Sequence, residues 1–119
     1  LRPSWPRLGS DDRLDDRRCA VLRHVVMFRW TDDVDDAHVA AIAEALSALP
    51  ARIPSIRAYR FGADVAVNDG NFDFVVTADF DDVDGYVAYR DHPEHLAMID
   101  RLIKGHVAER AAVQFEAGI

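Results

Sequence analysis

Phe72-Asp73-Phe74-Val75-Val76-Thr77-Ala78-Asp79-Phe80 decides the fold of this chain. Phe72, Phe74, Val76, Ala78 and Phe80 alternate with Asp73, Val75, Thr77 and Asp79. Successive side chains of a strand point to opposite faces, so the alternation predicts a strand over 72–80 with one buried face. Just upstream, Asn68-Asp69-Gly70-Asn71 is a turn signal. Before the turn, Ile56 to Asp64 reads as another strand, with Tyr59 and Phe61 on one face. Downstream, Asp82 to Asp91 reads as a short helix. Pro93 then opens a further helix, because the N–H that proline lacks would be unpaired in a first turn. Gly105 suits the residue just past that helix's end.

The same reading extends to both ends. Arg23-His24-Val25-Val26-Met27-Phe28-Arg29-Trp30 is the first strand. His24, Val26, Phe28 and Trp30 share one face, and Val25 and Met27 lie on the other. Thr31-Asp32-Asp33 offers a helix cap. Val39, Ile42, Leu46 and Leu49 then recur at helical spacing, with Pro50 and Pro54 expected to end the helix. Glu109 to Glu116 is the last strand, with Ala111, Val113 and Phe115 on one side. The order is β-α-β-β-α-β, an α+β, ferredoxin-like split unit with an antiparallel sheet. Its helices cover one sheet face. The other face carries Val25, Met27 and Val75 with no cover from the chain, which predicts a homodimer joined through its sheets. Asp73 and Asp79 dilute that face.

At 119 residues the chain reads as one domain over 21–119, preceded by a polar arm over 1–20 in which Trp5 would be the anchor. Half the residues are hydrophobic and 29% are charged, as in ordinary soluble domains. A net charge of −7 and a single lysine, Lys104, argue against a nucleic-acid partner. No apolar run is long enough to span a membrane, and the first residues lack the core of a signal peptide. The lone Cys19 fits a reducing, cytoplasmic setting. Arginine in place of lysine, with much Ala, Asp and Val, suggests a GC-rich bacterial genome.

The chemistry-bearing segment is His92-Pro93-Glu94-His95. A histidine in the first turn of an amphipathic helix is placed for proton chemistry, its unperturbed pKa being about 6.5. It is equally placed to be an edge-of-core histidine satisfied by a neighbour. His92 and His95 are spaced i, i+3, but no further Cys or His pair completes a metal site, so no metal is expected. The acids at Asp32, Asp33, Asp35 and Asp36 lack the glycine and terminal glutamate of a calcium loop. Phosphate loops and serine or cysteine nucleophile motifs are also missing.

His24-Val25-Val26-Met27-Phe28, Tyr89 with the HPEH block, and Val113-Gln114-Phe115-Glu116 together resemble the stress-responsive dimeric α/β-barrel (Dabb) family over about residues 22–116. The resemblance implies a sheet-to-sheet dimer and a pocket between helices and sheet. It also implies the chemistry of a plant member that closes a linear polyketide by aldol condensation without metal or redox cofactor. By that resemblance His95 is the base, Tyr89 its partner and His24 a further pocket residue. Two pocket positions depart from it: Phe74 replaces a histidine and Leu46 a tyrosine, which makes the pocket more apolar. Val26, Phe28, Trp30, Leu46, Phe74 and His92 complete the expected ligand site. The expected function is binding of a small, largely apolar ligand, with cyclase- or lyase-like acid–base chemistry. The alternatives are a non-catalytic stress-associated protein and a monooxygenase of the wider dimeric α/β-barrel superfamily.

Overall fold

The computed structural model describes residues 20–118. The polar arm, with Trp5 and Cys19, lies outside the described residues. The elements run β1 (Val21–Trp30), α1 (Asp36–Arg52), β2 (Ala58–Ala63), β3 (Phe74–Phe80), α2 (Val83–Arg90), α3 (Pro93–Met98) with a π-helical turn (Ile99–Ile103), and β4 (Val107–Ala117). The four strands form one sheet in the order β2-β3-β1-β4, and every neighbouring pair is antiparallel. This is the expected ferredoxin-like α+β arrangement.

The period-two pattern of β3 is realised without a slip, because its buried residues are Phe74, Val76, Ala78 and Phe80. On β1 the matching inner residues are His24 and Val26, which pair with Ala78 and Val76. Ile42, Leu46 and Leu49 of α1 and Tyr89 of α2 close over this face, and Ile42 and Phe80 are fully buried. Burying a side chain of that size contributes about 1.5–3 kcal/mol.

Several element ends differ from expectation. Asp35, not the Thr31-Asp32-Asp33 group, caps α1: its carboxylate accepts the His38 N–H at 2.8 Å. Thr31 and Asp33 bond to each other in the preceding turn. Pro50 does not end the helix, which runs through it to Arg52. The ring removes one bond, and the Ile53 N–H still reaches the Leu49 carbonyl at 2.9 Å. Burial of Ile53, 1% exposed, keeps this last turn wound. The helix opened by Pro93 widens into a π turn closed by the Lys104 N–H on the Ile99 carbonyl at 2.8 Å. Gly105 follows at φ +83°, a left-handed conformation that other residues adopt only with strain.

No described element covers the sheet's outer face. Met27 stands between Val75 and Ala111, and Val25 between Thr77 and Val113. Met27, Val113 and Phe115 are exposed. The acid expected to dilute this face is neutralised: Arg23 donates two hydrogen bonds to Asp79 at 2.7 and 2.9 Å. Asp73 precedes β3 and accepts the Trp30 N–H at 2.8 Å.

Candidate functional site

Between the inner sheet face and the helices lies a cavity of about 370 Å³. That is roughly a dozen water volumes, enough for a small ring compound. Val26, Phe28, Phe74 and Val76 form its floor, and Ile42 and Leu46 of α1 one wall. Tyr86 and Tyr89 of α2 and Met98, Ile99 and Ile103 of the α3 segment form the rest of an apolar lining. His24, buried, and His95, half-buried, are polar side chains in the lining, and the exposed Arg90, Asp91, Lys104 and Arg110 also border it.

His95 owes its place to the break between α2 and α3. Asp91 ends α2, and His92 starts α3 by accepting the Glu94 N–H on its Nδ1 at 3.1 Å. The His95 ring, one turn in, lies 3.0 Å through Nδ1 from the Arg90 carbonyl. A carbonyl can only accept, so Nδ1 carries the proton and Nε2 keeps a bare lone pair. Burial holds the His95 pKa below the usual imidazole value, against the pull of that carbonyl. The ring is therefore neutral at pH 7.

His24 takes the opposite tautomer. The Gln114 amide nitrogen lies 2.8 Å from His24 Nδ1. An amide NH₂ can only donate, which leaves the proton of His24 on Nε2. Among the described residues Nε2 has no hydrogen-bond partner. Burial, then the Arg110 charge, then His95, push the His24 pKa down to about 4. The cavity thus carries one imidazole that can accept a proton and one that can donate a hydrogen bond.

Tyr89 packs its ring on His95 with centroids 4.2 Å apart. Its hydroxyl, however, pairs with Tyr59 at 2.9 Å. Burial raises both phenols, Tyr59 to about 12 and Tyr89 further, so both stay protonated. The orienting group for His95 is the Arg90 carbonyl, not the Tyr89 hydroxyl.

Of the residues singled out in the sequence, the fold gathers His24, Val26, Phe28, Leu46, Phe74, Tyr89 and His95 around this one space. It leaves out two. Trp30 stacks on Phe28 at 5.2 Å and leans on Phe74 at 5.7 Å without lining the cavity. His92 is spent on capping α3. Sequence reasoning missed Arg110, Gln114, Tyr59 and Tyr86. Arg110 and Gln114 do have a sequence signal, since they alternate with Ala111, Val113 and Phe115 and so belong to the inner face. Among the described residues no group of three or more His, Cys, Asp or Glu could hold a metal ion. No described helix is long and apolar enough to cross a membrane.

Known proteins match this architecture. A dimeric ferredoxin-like protein of unknown function from Thermobifida fusca superposes with a TM-score of 0.76 at 46% identity, over 82% of this chain and 92% of that one. A second dimeric protein of unknown function, from Bacteroides fragilis, gives 0.69 at 30% identity, over 82% and 96%. A hydroxynitrile lyase from Passiflora edulis shares the fold, with a TM-score of 0.72 over 82% of this chain and 94% of that one, at only 14% identity. An uncharacterized Streptomyces coelicolor protein is 32% identical over 79 residues, which is 65% of this chain and 81% of that one. The sequence pattern of the stress responsive A/B barrel domain, Dabb, matches residues 22–117, from the first sheet strand to the last. Fold, strand order and sequence agree, and the chain belongs to the Dabb family.

Proposed function

We propose that this chain forms a homodimer through its open sheet faces. Each subunit holds a small, largely apolar carbonyl compound in its cavity, and His95 acts on that compound as a general base without metal or redox cofactor. The observation that carries this reading is the His95 ring at the cavity wall, with Nδ1–H held by the Arg90 carbonyl and Nε2 left bare. In the proposed step, Nε2 takes a proton from the carbon beside the carbonyl. The C–H electron pair forms the enolate, and its oxygen is met by the His24 Nε2–H. A positioned base contributes about 10²–10⁴-fold. A preorganised donor stabilises the charge that develops. Aldol-type ring closure passes through such an enolate, whereas a lyase acting on a hydroxyl compound would use the same base on an O–H. For the dimer, support comes from the exposed Met27, Val113 and Phe115 and from the dimeric relatives.

Proton–deuterium exchange tests the base without knowledge of the natural substrate. Phenylacetone in D₂O should lose its α-proton signals faster with the protein than in buffer, and His95→Ala should return the rate to background. Circular dichroism checks that the variant is folded. A variant that exchanges as fast as the wild type would sink the assignment. The rate should decline as pH falls through the His95 pKa, at a lower pH than an unperturbed imidazole would show, because burial depresses it.

A further inference from the structure

The chain is strongly acidic, and most of its described cations are engaged. Arg23, Arg29, Arg52, Arg57, Arg90 and Lys104 each lie within ion-pair distance of a carboxylate. Arg110 has no such partner among the described residues, and it lines the cavity. Its place is set by register: on β4 it pairs with Phe28, on the inner face, the same side as Gln114 and His24. The other two cations bordering the cavity are exposed, as Arg110 is, but each has a carboxylate beside it. Arg90 is held by Asp91 through two contacts, at 2.9 and 3.0 Å. Lys104 is largely exposed and 3.9 Å from Asp100.

An uncommitted guanidinium beside an apolar space has a specific chemical complement. Its planar fork donates two parallel hydrogen bonds to a carboxylate, a better match than a neutral amide or ester offers. The rest of the lining offers no acid that would compete for it except Asp91, which Arg90 already occupies. We infer that the cavity takes apolar carboxylic acids, with the hydrocarbon part against Phe28, Phe74 and Ile103 and the carboxylate on Arg110. This rests on the reading of the cavity as a ligand site and adds the substrate class to it. It also gives the acidic protein a reason to keep there a cation without a carboxylate partner among the described residues, since an anion otherwise approaches against a net charge of −7.

The test uses a matched pair of probes, 3-phenylpropionate and 3-phenylpropionamide, titrated into the intact protein by NMR at pH 7 and low salt. The acid should bind at least about tenfold more tightly than the amide, as a charge-assisted pair permits. Arg110→Met should erase that preference, while Lys104→Met should preserve it. Raising the salt should weaken the acid alone. Equal binding of both probes to the wild type would overturn the carboxylate assignment while leaving the cavity reading intact. So would a preference that survives Arg110→Met or disappears in Lys104→Met. Failure of both probes to bind would overturn the cavity reading and this inference together.

Discussion

His24 shows how one position can tie stability to pH. It is 4% exposed and its pKa is held at about 4, against about 6.5 in an unfolded chain. Between those values the unfolded chain binds the extra proton and the folded one does not, so stability rises with pH across that window. Its contribution is complete above about 6.5 and is lost as pH falls toward 4, to a depth on the order of 2–3 kcal/mol. Urea unfolding at pH 7 and pH 4.5 should show this loss in the wild type, and His24→Gln should lack that part of it. An identical pH dependence in both proteins would place His24 elsewhere than buried and neutral. Tyr59→Phe strands the Tyr89 hydroxyl and should cost about 1 kcal/mol in the same measurement, a loss that Tyr89→Phe in the same chain would not add to in full. At this scale the sequence was half legible. His95 and His24 are visible as imidazoles at marked places. The groups that set their tautomers are a backbone carbonyl, which has no signature in sequence, and a glutamine 90 residues away from His24.

The elements follow their patterns where side chains alternate and depart from them where caps compete. The alternating pattern runs from Phe72, yet β3 begins at Phe74: Phe72 stands before the strand beneath the Arg29 guanidinium, 4.4 Å from its ring centre, and only the four residues Phe74, Val76, Ala78 and Phe80 are buried. Four acids crowd the start of α1, and any could cap on composition alone; geometry selects Asp35. Asp35→Ala should therefore lower stability by about 1 kcal/mol in chemical denaturation, and Asp32→Ala should leave it near the wild-type value. Equal losses would mean that the acids act through their charge on the helix dipole rather than through one hydrogen bond. The π turn had no legible signal. Ile99 to Ile103 reads as ordinary helix, and only the contact of Lys104 with Ile99 reveals the widened turn that lines the cavity.

At the scale of the described residues the molecule is a two-layer α+β sandwich whose outer sheet face no described element covers. The sequence exposed that gap through Val25, Met27 and Val75, and the folded chain enlarges it with Ala111, Val113 and Phe115 while Arg23 neutralises Asp79. Analytical ultracentrifugation should find the wild type as a dimer, and Val113→Asp, which puts a charge in the middle of that face, as a monomer. A monomeric wild type would remove the second subunit from the account. The proposed site turns on His95, whose ring lines the cavity and whose Nε2 has no hydrogen-bond partner among the described residues. Long-range proton–nitrogen NMR of the histidine rings in the intact protein tests this directly, with and without 3-phenylpropionamide. At pH 7 His95 should carry its proton on Nδ1, with Nε2 unprotonated and its resonance moving as the probe is added. An imidazolium at pH 7, the opposite tautomer, or a ring indifferent to the probe would contradict the proposed site.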